Sequence, residues 1–254
     1  MDRPLTIIAN WKMHKTRLQA KEFMQSLQKC LVCDHLDVLI AAPFTVIETC
    51  TALGIPGVKV GAQNVSEHRS GPFTGEISAE MLADVKASFC LVGHSERRIL
   101  FHETSEQIAK KILRLVEAGI QPILCVGETL EQRQAGLTEQ VLFSQIETAL
   151  CSLDLQDIGK ICLSYEPVWA IGSGVAASAE ILQLVHGSCR DFLRKRWGQD
   201  ISNQVKILYG GSVTSHTIAQ IISQNDVDGV LIGGASLDVH MFANIIKISG
   251  ELKL

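Results

Sequence analysis

Ile207-Leu-Tyr-Gly-Gly-Ser212 and Leu231-Ile-Gly-Gly-Ala-Ser236 are one construction used twice: a short apolar run, a pair of glycines, then a small residue. Each run is too short for a buried helix and is apolar at consecutive positions, the pattern of a strand covered on both faces. The same kind of run recurs upstream at Leu5–Trp11, Asp37–Ala42, Val58–Asn64, Phe89–Gly93, Gln121–Gly127 and Ile161–Glu166, ahead of Lys206–Gly210 and Gly229–Gly233. Between the runs, apolar residues fall at helical spacing. The sets are Leu18, Phe23, Leu27 and Leu31; Ile108, Ile112, Leu115 and Val116; Val141, Ile146 and Leu150; and Ile181, Leu184, Val185, Cys189 and Phe192. Strand and helix alternate without a low-complexity linker. The expectation is the α/β class, with a single (β/α)8 barrel domain over residues 1–254. A doubly wound open sheet is the other architecture this alternation allows.

Apolar residues make up 46 % of the chain and charged ones 20 %, which is globular and not disordered composition. The 23 Lys and Arg against 27 Asp and Glu give a formal net charge of −4, without the basic surplus of a nucleic-acid binder. An anionic ligand would then be held by a few placed groups and not by the overall field. Met1–Asn10 lacks a signal-peptide pattern, and no run reaches the ~20 apolar residues of a membrane span. A cytoplasmic protein with neither nucleic acid nor membrane as partner is expected. The 8 cysteines are too sparse for a disulfide scaffold. Cys30-Leu-Val-Cys33 has redox or metal spacing, but no second pair completes a zinc site, so it reads as thiols at a helix end. Cys125 and Cys162 read as core, and no metal site is expected.

In an eight-fold barrel the working residues stand at the carboxyl ends of the strands. Here those ends are polar and glycine-rich: Asn10-Trp11-Lys12, Asn64, Gly93-His94-Ser95-Glu96, Gly127-Glu128, Glu166, Gly210-Gly211-Ser212 and Gly233-Gly234. The two glycine pairs let main-chain N–H groups approach a phosphate, the second at the start of a helical turn. Alone, each pair is only a tight turn. Glu166 ends an apolar strand and leads into Pro167-Val-Trp-Ala-Ile-Gly-Ser-Gly174, apolar at its start and glycine-rich at its end. That composition suits a lid that excludes water, and water exclusion strengthens a carboxylate as a base. His94 precedes Ser95, a natural N-cap, so its ring would sit against the start of a helix, where a neutral imidazole is favoured. Lys12 offers a full positive charge for a phosphate or a developing oxyanion. The remaining histidines read as surface or packing residues.

Taken together, these segments resemble the triosephosphate isomerase family. The matching stretches are Ala9-Asn-Trp-Lys-Met13, Gly61-Ala-Gln-Asn64, Phe73-Thr-Gly-Glu-Ile-Ser78, Gly93-His-Ser-Glu-Arg-Arg98 and Cys125-Val-Gly-Glu128. They continue with Tyr165-Glu-Pro-Val-Trp-Ala-Ile-Gly172, Tyr209-Gly-Gly-Ser-Val213 and Asp228-Gly-Val-Leu-Ile-Gly-Gly-Ala-Ser236, and so run from the first strand to the last.

The resemblance implies a homodimeric TIM barrel that needs no cofactor and no metal. It would interconvert dihydroxyacetone phosphate and D-glyceraldehyde 3-phosphate through an enediolate. By similarity, Glu166 is the base, His94 the neutral electrophile and Lys12 the cationic partner of the intermediate. Asn10, Trp11 and Lys12 would contact substrate, and N–H groups at Gly172, Ser212, Gly233 and Gly234 would hold its phosphate. The lid would run through Pro167, Val168, Trp169, Ala170, Ile171, Gly172, Ser173 and Gly174, with Ile171 and Leu231 closing over the carboxylate. The long loop Gln63–Ser78 would reach a partner subunit, bringing Thr74 near the other chain's Asn10. Three positions depart from the usual pattern: Pro72 in the interface loop, and Ser173 and Val175 by the lid's glycine hinge.

Other phosphate-binding barrels, such as a sugar-phosphate epimerase or an indole-glycerol-phosphate synthase, need metal clusters or a larger aromatic pocket, which the strand ends lack. A catalytically silent barrel that binds a phosphorylated metabolite is the reading from another class; it is disfavoured by the presence of the glutamate, histidine and lysine together.

Overall fold

Each of the eight apolar runs forms a strand, and seven of them stop one or two residues before the polar or glycine end of the run. The computed structural model describes residues 3–31, 35–170 and 177–252. The strands are β1 (Leu5–Asn10), β2 (Leu36–Ala42), β3 (Val58–Ala62), β4 (Phe89–Val92), β5 (Gln121–Val126), β6 (Cys162–Tyr165), β7 (Lys206–Tyr209) and β8 (Gly229–Ile232). They pair in parallel in chain order, and β8 pairs back to β1 through Ile8↔Leu231, so the barrel is closed. The open-sheet alternative is thereby excluded.

Twelve α-helices are present among the described residues. The first six are α1 (Arg17–Cys30), α2 (Phe44–Leu53), α3 (Ala79–Asp84), α4 (Ser95–Leu100), α5 (Ser105–Glu117) and α6 (Leu130–Gln134). The others are α7 (Thr138–Leu150), α8 (Leu155–Ile158), α9 (Ala179–Trp197), α10 (Gln199–Gln204), α11 (Ile218–Ile222) and α12 (Val239–Glu251). Three starts are fixed by the same reciprocal device, a threonine cap and a glutamine three residues on: Thr16 with Gln19, Thr104 with Gln107, and Thr129 with Gln132.

Two apolar layers follow from strand alternation. Ile8, Leu39, Phe89, Leu91, Ile123, Cys125, Cys162, Leu208 and Leu231 fill the barrel interior. Ile7, Ala9, Trp11, Val60, Leu124, Tyr165 and Tyr209 face outward and meet the helices. Cys125 and Cys162 are core thiols, as expected, and burial pushes both well above the ordinary thiol range. Cys30 is exposed, and Cys33 lies outside the described residues. The helical sets are inward as read at Phe23, Leu27, Ile108, Ile112, Leu115, Ile146, Leu150, Val185 and Cys189. Leu18 and Leu184 are exposed instead, and the inward residues of the turn around Leu184 are Leu182 and Val185.

The amino-terminal end of the barrel is held by ion pairs. Arg190 of α9 is buried; it donates to the carbonyls of Ser202 and Val205 and pairs with Asp226 and Asp228. Asp228 also accepts from Ile207 N–H at 2.8 Å and from Arg3. Removing one partner of such a buried set is costly because the other charges stay buried.

His186 of α9 is fully buried, edge-on to Tyr165 with ring centroids 5.8 Å apart. It is a packing residue, and desolvation lowers its pKa to about 4. An unfolded histidine titrates near ~6.5, so between these values the unfolded chain binds the extra proton. Stability should therefore fall as pH drops from about 6.5 to 4, by about 3 kcal/mol from this residue, and be fully present above that window. Urea midpoints for wild type and His186→Gln across pH 4–7 check this: the variant should lose that part of the acid slope.

Candidate active site

The carboxyl end of the barrel is shaped by which strand-end positions point inward. Alternation that turns Ile8 into the barrel turns Asn10 the same way, and carries Cys162 and Ser164 on to Glu166. Asn10 is buried, and its Oδ1 accepts the Lys12 N–H at 3.0 Å. That bond holds Lys12 at φ 49°, a left-handed backbone uncommon for a side-chain-bearing residue. The Lys12 ammonium then reaches Glu96 Oε1 at 2.5 Å. A Cβ on Gly233 would lie 3.4 Å from Lys12 Cε, so the lysine passes over the second glycine pair.

The same alternation corrects the reading of Trp11. With Asn10 inward, Trp11 must point outward; it is fully buried against Phe23 of α1, with ring centroids 5.1 Å apart. It packs the helix layer and does not face the cavity.

His94 is itself the cap of α4, which corrects the expectation that Ser95 caps it. The ring Nδ1 accepts Glu96 N–H at 3.3 Å, so Nδ1 carries no proton and a neutral ring has its hydrogen on Nε2. Ser95 N–H, now inside the first turn, donates to Glu166 Oε2 at 2.9 Å. Glu166 is 1 % exposed, and its Oε1 has no hydrogen-bond partner among the described residues. His94 Nε2 stands 3.6 Å from it. Burial holds the thiol of Cys125, beneath Glu166, well up, and the carboxylate pushes the same way.

Glycine makes room for the glutamate. A Cβ on Gly127 would fall 1.8 Å from Glu166 O, and one on Gly210 would fall 2.8 Å from Glu166 Cγ. Any side chain at either place would displace Glu166.

Two cavities lie at the turn after β4, one lined by His94 and the other by Gly93 and Ser95 on either side of it in the chain. The larger, 270 Å³, is lined by Asn10, Lys12, Gln63, Asn64, His94 and Glu96, with Met13, Phe44 and Phe101 on its apolar side. The smaller, 140 Å³, holds Glu166 with Ser95, Gly127 and Val168. Lysine, asparagine and histidine thus share one cavity. The glutamate lines the other one, with its carboxylate turned to Ser95 and its Oε1 3.6 Å from His94 Nε2. A still larger hollow of 420 Å³, between α1 and Leu237–Val239, contains none of the strand-end groups.

After β8, Gly233 caps a short 3₁₀ turn, Gly234–Ser236, whose first N–H groups have no partner within the turn. Gly234 is exposed, and a Cβ there would meet nothing within 4 Å. Ser212 is half-buried, with its N–H near the Tyr209 hydroxyl, which also accepts from Ala177 N–H at 3.3 Å. Leu231 lies in the barrel interior. Pro167 and Ala170 are buried, and Val168–Ala170 form a 3₁₀ turn. Ile171, Gly172, Ser173, Gly174 and Val175 lie outside the described residues. Thr74 is exposed on the Gln63–Ser78 loop, where Phe73 stacks on His68 with centroids 3.7 Å apart.

Sequence reasoning assigned no task to Glu128 or Gln145. Glu128 is fully buried, and its Oε1 takes hydrogen bonds from the Tyr165 hydroxyl (3.0 Å), Trp169 Nε1 (3.0 Å) and Arg133 (3.3 Å). It ties the Val168–Ala170 turn to the end of β5. Burial, then this carboxylate, pushes the Tyr165 phenol up. Gln145 of α7 brackets Gly127, accepting its N–H at 2.9 Å and donating to its carbonyl at 3.1 Å. The partners lie many residues apart, and the only trace in sequence was an acidic residue at a strand end. Among the described residues no three His, Cys, Asp or Glu gather as a metal site would require, and no helix is long and apolar enough to cross a membrane.

Comparison with known proteins agrees with this geometry. Residues 5–249 match the family model described as triosephosphate isomerase. The triosephosphate isomerase of Protochlamydia amoebophila is 39 % identical over 251 residues, covering 98 % of this chain and 95 % of its own. That of Finegoldia magna is 42 % identical over 97 % of this chain and 99 % of its own, and that of Corynebacterium diphtheriae 43 % over 96 % of each. With the match running from β1 into α12, the chain belongs to the triosephosphate isomerase family.

Proposed function

We propose that the chain interconverts dihydroxyacetone phosphate and D-glyceraldehyde 3-phosphate, with Glu166 taking a proton from C1 and returning it at C2 through an enediolate. The observation that carries this reading is the contact of the buried Glu166 carboxylate with His94, Oε1 to Nε2 at 3.6 Å. Because Nδ1 is occupied by Glu96 N–H, Nε2 is the nitrogen that donates to the substrate carbonyl. Lys12 supplies positive charge where the enediolate oxygen forms, and Asn10 sets the lysine's backbone. Main-chain N–H groups at Ser212, Gly233 and Gly234 grip the phosphate, joined by Gly172. Pro167–Gly174 closes as a lid, with Ile171 and Leu231 shielding the base. An enediolate phosphate readily expels its phosphate, so this cover protects the intermediate as well as excluding water.

The reaction belongs to glycolysis and gluconeogenesis, and we take its setting to be the cytoplasm. We further propose a homodimer. The exposed Gln63–Ser78 loop is the projecting part, and the apolar wall of Met13, Phe44 and Phe101 beside Asn10 is the socket that Thr74 of a second copy approaches. The alternative of a silent phosphate-binding barrel finds no support among the relatives, which bear the isomerase name.

A coupled assay with glyceraldehyde 3-phosphate and no added metal tests both statements. Robust turnover is expected, with specific activity falling on dilution as the dimer separates. Absence of turnover would refute the activity, and dilution-independent activity of a monomer would refute the shared site.

A further inference from the structure

Ser164 lies on the inward face of β6, two residues before Glu166, and is fully buried. Its hydroxyl has no hydrogen-bond partner among the described residues. Glu166 Oε1 beside it is also buried without a partner, and a buried hydroxyl left unpaired is costly to keep.

The hydroxyl faces a particular place. A Cβ built on Gly210 would fall 2.6 Å from Ser164 Oγ and 2.8 Å from Glu166 Cγ, so both atoms border the space that Gly210 leaves open. Together the two distances cap the separation of Ser164 Oγ from Glu166 Cγ at about 5.4 Å. A carboxylate oxygen lies roughly 2.4 Å beyond its Cγ, from ordinary bond lengths, so rotation of the glutamate brings an oxygen within hydrogen-bond reach of the hydroxyl. In the present orientation Oε2 is held instead by Ser95 N–H, facing the smaller cavity. To serve the larger cavity the carboxylate has to leave that donor, and an anion leaving one donor in a water-poor site is stabilised by another.

We propose that Ser164 is a positioning residue for the base: its hydroxyl donates to the Glu166 carboxylate once that group turns from Ser95 N–H toward bound substrate. The inference rests on Glu166 being the base. It adds that the base exchanges a main-chain donor for a side-chain donor between the free and the substrate-bound enzyme. The other titratable groups facing the carboxylate are His94 and Arg98 of the α4 segment and Cys125 of β5, with Lys12 and Glu96 at the edge of the larger cavity. None of them is altered by a change at Ser164.

The test is Ser164→Ala, with Ser164→Thr as the variant that retains a hydroxyl. A hydrogen bond to the charged form lowers a carboxyl's pKa, so its loss in the bound enzyme should move the acid limb of kcat up by about half a unit to one unit. The acid limb of kcat/KM reports the free enzyme, where Ser95 is the donor, and should stay in place. For Ser164→Ala, kcat should fall about five- to ten-fold with KM within two-fold, and thermal stability should be unchanged or higher. Ser164→Thr should restore the wild-type position of the kcat limb.

A merely structural role would lower stability, or move both limbs, or move neither; each of these outcomes overturns the proposal. If Ser164→Ala behaves as wild type while Glu166→Ala is inactive, only this inference fails. If Glu166→Ala is active, the reading beneath it fails as well.

Discussion

Glu166→Ala is expected to lower kcat by about 10⁴-fold while leaving the far-ultraviolet dichroism and the melting temperature close to wild type. A positioned base contributes roughly 10²–10⁴-fold, and the upper end is expected here because no other carboxylate is placed to take over. Glu96 lines the larger cavity, but its Oε1 is engaged by Lys12 at 2.5 Å and the residue is half-exposed. The fold should tolerate the change because the truncated side chain supports no packing layer. What it loses is one hydrogen bond, from Ser95 N–H. KM should change little, since main-chain N–H groups and not the carboxylate are proposed to hold the phosphate. The coupled assay and a thermal melt on the same preparation decide the matter.

Lys12→Met is expected to cost about 10²–10³-fold in kcat/KM, comparable with removing one oxyanion donor worth about 3–4 kcal/mol. Methionine keeps the length of the side chain, so packing over Gly233 survives while the charge goes. The change also strips Glu96 of its partner, leaving a carboxylate on the cavity wall facing an anionic substrate. Both effects raise KM, and loss of charge stabilisation lowers kcat. The double variant Lys12→Met/Glu96→Gln should therefore regain part of the lost affinity but none of the lost kcat. Lys12→Arg should not restore activity, because a planar guanidinium is not interchangeable with a compact ammonium at the tight φ 49° turn. Steady-state kinetics of the four proteins separate these contributions.

The eight strands were legible because apolar residues at consecutive positions leave little other choice for short runs. That same feature hid the direction of each side chain. When both faces of a strand are buried, composition no longer distinguishes inside from outside, and only register does so. Trp11 shows the consequence: it sits between two polar residues of the mouth, yet alternation sends it to Phe23 in the helix layer. Leu184 shows the same limit on a helix, where one turn carries more apolar residues than the inward face accommodates.

At the site, Glu166, His94, Lys12 and Asn10 could be picked out because each ends a strand. Their pairings could not. That His94 and not Ser95 caps α4 depends on a ring nitrogen meeting an N–H two residues on, a choice fixed by the turn after Gly93. Glu128 serves donors 37 and 41 residues away in sequence, and its neighbours carry no local sign of them. The present orientation of the base toward Ser95 is likewise a property of three-dimensional packing, invisible to a motif.

The central claim is that Glu166 carries a proton between adjacent carbons. Turnover of glyceraldehyde 3-phosphate in D₂O, followed by proton NMR, tests it most directly. The wild-type enzyme should place deuterium at C1 of the dihydroxyacetone phosphate formed, at one of its two hydrogens, and Glu166→Ala should lose turnover and labelling together. Label in only part of the product fits the account, because a shielded carboxyl returns some of the abstracted hydrogen before it exchanges with solvent; turnover and labelling by Glu166→Ala at the wild-type rate would mean another base and would contradict it.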